Sequence, residues 1–262
     1  MKCVAAVVLL SLLSLGLSAP QSGCDALLKP ITVSTEEMLG RLYFIGGSSD
    51  IPGSRSLAHL MTSAWLDMTV TSKSNVLNIV QTQRILGECS SLAYDVIFEN
   101  STMSIEQPFY LKEVYLSTEC ADCLVAKEDV IAGNDNFTSL LMFSKSRSVS
   151  PAAVELLKKQ AECLLMPTPI MSNSNSEICP DNITPSEGLS ALNCENTGPI
   201  FFCPTYVDRQ LCIIESFFME TEICPDNITP SEGLSALNSV LQAKMGHRVA
   251  RLLDAVFDMF IN

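Results

Sequence analysis

The chain has 262 residues, 47% of them hydrophobic, which suffices for one large domain or a medium domain with an appendage and excludes a disordered polymer. Its formal charge of −13 excludes nucleic acid as a partner, because counterion release needs clustered Lys and Arg on the protein. Such an acidic surface favours solubility and attracts cations, without identifying a ligand.

The N-terminus begins with Lys2, continues as an apolar run from Val4 to Leu17, and places the small residues Gly16, Ser18 and Ala19 ahead of Pro20. A basic start, a short apolar core and a small-residue cleavage site predict a secretory signal peptide over residues 1–18. The run is shorter than the roughly 20 residues that span a bilayer, and no later segment is long and apolar enough, so no transmembrane span is expected and the mature chain reads as secreted and extracellular. Of eleven cysteines, Cys3 lies in this leader and ten remain, an even number that in a secreted chain points to disulfides rather than to metal or catalytic thiols. Four N-x-S/T sequons, at Asn100, Asn136, Asn182 and Asn227, fit a glycoprotein.

Thr35-Glu36-Glu37 predicts a short helical lead-in to an opening strand over Met38–Gly47, and the small, polar residues from Ser48 to Ser56 read as a long first loop. Extended segments follow. Ser63 to Ser72 alternates, with Ala64, Leu66, Met68 and Val70 on one face and Trp65, Asp67, Thr69 and Thr71 on the other. Val76 to Leu86 comes next, then Cys89 to Glu99, which sets Leu92, Tyr94, Val96 and Phe98 on one face. Shorter strands around Thr102–Ile105, Leu111–Ser117, Leu124–Val130 and Phe137–Ser144 bring the total to about eight. Hairpin-linked strands with no helices between them imply an antiparallel meander, and eight strands close into a barrel able to hold one small ligand.

The period then changes. Ser150 as N-cap, Pro151 at the first helical position, and Val154, Leu157, Ala161 and Leu164 at helical spacing predict a helix that stops before Pro167. The expected fold is therefore all-β, an eight-stranded antiparallel barrel over residues 19–181 with one packed α-helix. Residues 182–230 read as a duplicated, Cys-rich insert, since Glu177–Asn193 recurs unchanged at Glu222–Asn238, by recent tandem duplication or by gene-model assembly. Residues 231–262 form an amphipathic helical pattern in which Leu234, Leu237, Leu241, Met245, Val249, Leu252, Val256 and Phe260 trace one face. The plainest reading of that helix is packing on its own protein, and the alternative is a lipid or lipoprotein surface.

In order and spacing, Cys24-Asp25-Ala26-Leu27-Leu28-Lys29-Pro30-Ile31-Thr32, Leu39-Gly40-Arg41-Leu42-Tyr43-Phe44-Ile45, Gln81-Thr82-Gln83-Arg84 with Cys89, and Ala161-Glu162-Cys163-Leu164 resemble the lipocalins. Within that family the resemblance is to the orosomucoid and apolipoprotein M type and to fish relatives that bind saxitoxin and tetrodotoxin. It implies a secreted carrier of a small hydrophobic or amphipathic ligand of lipid, steroid, drug or toxin class, or else a lipoprotein-associated protein held by its C-terminal helix. It also implies disulfides from Cys24 to Cys163 and from Cys89 to the Cys of Glu-Ile-Cys-Pro, either Cys179 or Cys224, the former being nearer in sequence. Cys120-Ala121-Asp122-Cys123 falls between two strands and reads as a local structural disulfide. Lipocalins carry Gly-x-Trp in the opening strand with an Arg over the indole, whereas this chain has Gly40-Arg41-Leu42. Arg147 is then the counterpart Arg without its ring, and Trp65, on the polar face of its strand, is not expected to replace it.

Nothing in the sequence assembles a catalytic, metal or cofactor site. His59 falls in the first loop and His247 in the tail helix, and the acid pairs Glu36-Glu37 and Glu128-Asp129 read as surface charge. Carriage needs only a lined cavity. Alternation nominates Leu42, Phe44, Leu66, Met68, Tyr94, Phe98, Leu141 and Phe143 as ligand contacts, with the Tyr94 hydroxyl available for orientation.

Overall fold

The computed structural model describes residues 21–106, 109–132, 134–183 and 244–261. The signal peptide, most of the insert, Asn227 and residues 231–243 of the tail lie outside them. In chain order the elements are α1 (Gln21–Leu27), α2 (Thr35–Met38), β1 (Gly40–Ser49), α3 (Ser54–Leu60), β2 (Met61–Val70), β3 (Val76–Ile85), β4 (Glu88–Glu99), β5 (Thr102–Ile105), β6 (Tyr110–Leu116), β7 (Cys123–Ala132), β8 (Asp135–Ser144), α4 (Pro151–Cys163), β9 (Ile170–Met171) and α5 (Lys244–Ile261).

Strands β1 to β8 pair antiparallel with their sequence neighbours, and β8 returns to β1, so an all-β antiparallel barrel closes on itself. Two hairpins turn through pairs of left-handed residues, each pair containing one that favours that backbone: Leu86 (φ 52°) and Gly87 (φ 88°) between β3 and β4, and Asn100 (φ 51°) and Ser101 (φ 57°) between β4 and β5. Two consecutive left-handed residues match the twist of the flanking strands.

Pleating separates two apolar layers. Inside lies a core of Leu42, Met68, Leu77, Ile79, Val96, Phe98, Met103, Tyr115 and Leu124. Outside, Ile45, Leu116, Val125, Leu140 and Met142 pack against Ala153, Leu157 and Ala161 of α4. Helix α4 is started by Ser150, whose Oγ accepts from the Ala153 amide at 3.2 Å, with Pro151 at the first turn. Its fully buried Gln160 donates to the carbonyls of Leu27 and Ser117, at 3.1 and 2.9 Å, so it pins both the lead-in and the β6–β7 connection.

One end of the barrel is closed by the lead-in. Ser34 and Glu37 form a reciprocal capping box around α2. Val33 exchanges backbone hydrogen bonds of 3.0 Å with the Ser101 hydroxyl, and Met38 is wholly buried beneath the barrel. Three disulfides fasten the ends of the fold: Cys24–Cys163 joins α1 to α4, Cys89–Cys179 ties the segment after β9 to the outside of β4, and Cys120–Cys123 closes the β6–β7 connection.

Four sequence expectations change. The first loop is shorter than Ser48–Ser56, because β1 runs on through Ser49 and helix α3 begins at Ser54, which places His59 in a helix. Trp65 does lie on the outer face of β2, yet it is only 4% exposed, because residues 176–181 cross that face and the Cys179 carbonyl accepts from the indole at 3.3 Å. Arg41 stacks over its ring at 3.7 Å, so the cation–π contact expected to be missing is present on the outer wall. Arg147 instead donates to the Ser176 carbonyl. Lastly, α5 docks through polar groups: Leu252 and Val256, on the apolar stripe read from the sequence, are 57% and 38% exposed.

Candidate ligand-binding site

A cavity of about 340 Å³ occupies the barrel. Inward-facing positions of every long strand line it, from Met38 at the closed end to Ile51, Pro52, Leu57 and Ala58 of the first loop and α3 at the mouth. The mouth is framed by a small apolar cluster of Phe109, Val130, Ala132 and Phe137, against which Ile51 packs.

Seven of the eight positions nominated by alternation meet around this cavity: Leu42, Phe44, Leu66, Met68, Tyr94, Leu141 and Phe143. Phe44 and Phe143, Cα partners across β1 and β8, contact edge to face with ring centres 5.8 Å apart. Phe98 does not line the cavity. It lies deeper, 8% exposed and edge-on to Tyr115 at 6.4 Å, and serves as core beneath the pocket. The Tyr94 hydroxyl donates to Gln81 Oε1 at 3.1 Å, and both side chains line the cavity.

The residues that alternation passed over are acidic. Glu113 and Glu128 are directly opposed Cα partners on β6 and β7, and both line the cavity. Glu113 is 8% exposed. The expectation that Glu128-Asp129 is surface charge therefore holds for one residue only. Adjacent residues of a strand point to opposite faces, so Asp129 is outside, 2.6 Å from Lys127 Nζ, while Glu128 is inside. Opposed side chains on one face stand with Cβ atoms roughly 4.5–5.5 Å apart. Ser139, the Cα partner of Glu128 on β8, and Tyr115, two residues from Glu113, complete a polar patch in an otherwise apolar wall.

This placement changes the acidity of both groups. Burial raises the Glu113 carboxyl to about 7, with its neighbours Tyr115 and Glu128 pulling the other way. Burial and then the charge of Glu113 raise Glu128 to about 8, with Ser139 opposing. Tyr115, only 1% exposed and beside Glu113, is pushed well above an ordinary phenol by burial and then by that negative neighbour. Two carboxyls sharing a dry site cannot both ionise cheaply. Among the described residues lining the cavity, Arg55 is the one cation. It sits on α3 at the mouth, bound to the Asp258 carboxylate at 2.8–3.0 Å and to the Thr168 carbonyl at 3.1 Å.

The mouth carries a second device. Asp254 of α5 accepts from the Gly53 amide at 2.9 Å and from the Ser56 amide and hydroxyl at 2.8 and 2.7 Å, which caps the start of α3 from a residue distant in sequence. His59 stacks on Phe257 with ring centres 6.0 Å apart, and Phe137 meets His247 edge-on at 5.5 Å. Helix α5 is thereby seated beside the opening.

The other nominated positions are placed as follows. Cys24 is bonded to Cys163, Cys89 to Cys179, and Cys120 to Cys123. Asn100, Asn136 and Asn182 are exposed. Among the described residues no group of three or more His, Cys, Asp or Glu is arranged to hold a metal ion, and no helix is long and apolar enough to cross a membrane.

No protein-family model matches the chain, and no curated protein does so. Solved structures do. The siderocalin Ex-FABP, described as working through dual ligand specificities, is 15% identical with a TM-score of 0.48, over 56% of this chain and 97% of its own. Siderocalin Q83, described as having a dual ligand binding mode, is 15% identical with a TM-score of 0.47, over 56% of this chain and 96% of its own.

Proposed function

We propose that the protein is a secreted carrier that reversibly holds one small amphipathic molecule, with an apolar body in the barrel and a cationic or hydrogen-bond-donating head at Glu113 and Glu128. The observation that carries this reading is the carboxyl pair set into an otherwise apolar cavity wall, with the barrel's lining cation held at the mouth by Asp258. An apolar ligand alone would leave those carboxyls desolvated and unmatched, whereas a donor head satisfies them. The N-terminal leader and the three disulfides support an extracellular setting. Guanidinium toxins and amine-bearing drugs or lipids fall within the ligand class, and anionic amphiphiles fall outside it.

The test is native mass spectrometry of protein from its own secretions, followed by titration with cationic, neutral and anionic amphiphiles of one size. The reading expects a small molecule to leave the barrel on activation and cations to bind best. It is lost if nothing is carried and no amphiphile binds.

A second reading follows from Leu252, Val256 and Met259 of α5, which are 57%, 38% and 75% exposed and spaced at three and four residues along one side. That stripe suits a lipoprotein surface. Flotation of the full-length protein with lipoproteins, abolished by replacing these three residues with Ser, is the expected result; a protein that stays at the bottom of the gradient excludes this reading.

A further inference from the structure

We propose that loading of this barrel is a proton exchange, in which the cationic head of the ligand takes the place of the proton that Glu113 and Glu128 share, so that cargo is taken up near neutral pH and released on acidification. The inference rests on the amphipathic-carrier reading above.

The geometry makes the exchange close to obligatory. The two carboxyls are directly opposed on β6 and β7 and face the same cavity. The groups beside them are Tyr115 from β6 and Ser139 from β8, and Tyr94 from β4 and Gln81 from β3 line the same cavity; none of the four is a basic side chain. The nearby lysine on β7, Lys127, points outward to Asp129, and Arg55 is committed at the mouth. No described cation therefore neutralises the pair from within the cavity, and the positive charge that lets both carboxyls face this apolar cavity is a proton when the barrel holds no cation. The weakened acidity of both groups agrees with this arrangement. A bound cation supplies the same charge. One carboxylic acid then gives its O–H proton to the medium, both carboxylates face the ligand, and the net charge inside the barrel is unchanged. Lowering the pH reverses the step by mass action, since the proton and the ligand compete for one place.

The test uses full-length protein and two probes of matched shape, benzyltrimethylammonium and its uncharged carbon isostere neopentylbenzene. A quaternary ammonium has no proton to give, so any proton released on its binding comes from the protein. Calorimetric titration in two buffers of different ionisation enthalpy counts those protons. The expected result is release of about one proton per cation bound at pH 7 to 8, larger at lower pH and falling toward none at pH 9. The cation's dissociation constant should rise by up to tenfold per pH unit as the pH falls below the titration of the pair, while the neutral isostere binds with no pH dependence and no proton release. In E113Q/E128Q, checked for folding by its thermal transition, the cation should bind at least tenfold more weakly and independently of pH. Cation binding with no proton release and a flat profile from pH 5 to 8 overturns the exchange but leaves a carrier. Failure of both probes to bind folded protein overturns the carrier reading and the exchange with it.

Discussion

The guanidinium of Arg41 lies 3.7 Å from the centre of the Trp65 ring, on the outside of the barrel and under the segment that Cys179 anchors to β4. Asp67 and Asp181 hold the same guanidinium at 3.4 and 2.8 Å, and these partners raise Arg41 even against its partial desolvation. Cation, ring and strap form one packed unit. Arg41→Ala is expected to destabilise the protein by about 1–2 kcal/mol, and Arg41→Lys by less, since it keeps the charge without the planar stack. Trp65 is the single tryptophan, so its emission reports the site directly. An emission maximum and a urea midpoint unmoved in Arg41→Ala would count against this packing.

Cys24–Cys163 closes a sequence separation of 139 residues and Cys120–Cys123 one of 3. In the chain-entropy model the first stabilises by about 5 kcal/mol and the second by about 2 kcal/mol. Guanidinium denaturation of the two Ser double variants should show a clearly larger drop for C24S/C163S, and equal drops would place the stabilisation elsewhere.

Stability should depend on pH through the buried acids. Glu113 and Glu128 are raised in the folded protein to about 7 and about 8, from the ordinary carboxyl value of about 4.5. Between those limits the native state holds more protons than the unfolded chain, so their contribution is fully present below about pH 4.5 and is lost as the pH rises through 7 to 8. The change is on the order of a few kcal/mol for the pair taken together. Wild-type protein without ligand should therefore melt at progressively lower temperature from pH 5 to pH 8, and E113Q/E128Q should flatten that slope. A wild-type melting temperature that rises across the interval contradicts the buried pair.

Filling the cavity should abolish carriage without unfolding the barrel. Leu141 faces the cavity from β8, beside Gly47 on one neighbour and Ala126 on the other. The larger ring of Leu141→Trp has room only in the cavity, at an overpacking cost of about 1–3 kcal/mol. Affinity for a bound amphiphile should fall at least tenfold while cooperative unfolding is retained, as fluorescence titration and calorimetry would show.

Removing Asp254 should loosen the mouth and leave the barrel intact. Its carboxylate is the acceptor for the first amides of α3, and loss of a cap costs about 1 kcal/mol. Asp254→Ala is expected to speed amide exchange across Gly53–Leu60 at least tenfold, with exchange in β3, β4 and β7 unchanged. Uniform protection across both regions would mean that α5 does not support α3.

The barrel was legible because its signal is local. Alternation in β2 and β4, turn residues at Asn100-Ser101, and the Ser150-Pro151 helix start each act over a few residues, and their order implies the meander. What escaped were relations between distant residues. Glu113 and Glu128 look like any solvated acid until pairing sets them opposite each other and alternation turns both inward. Lys112-Glu113 and Glu128-Asp129 each put one charge on either side of a strand, so the signal was available in the same rule that picked out Leu66 and Met68. Trp65 could not be recognised from its strand, because the chain that buries it arrives more than a hundred residues later. The capping of α3 by Asp254 is of the same kind, and the apolar stripe of α5 pointed to the wrong face because docking there runs through aspartates.

Strand β1 changes partners halfway along: Gly40 to Tyr43 pair with β2, whereas Gly46 and Gly47 pair on that side with the two residues of β9. The switch follows from α3, which carries the chain away from the wall before β2 begins at Met61. A side chain at Gly46 would lie 2.7 Å from the Ile170 carbonyl, so the graft depends on glycine there. The barrel is thus a hoop whose upper join is a two-residue splice. So short a pairing is the weakest join in the wall, and amide exchange at Gly46, Gly47 and Ser172 should lead the rest of it.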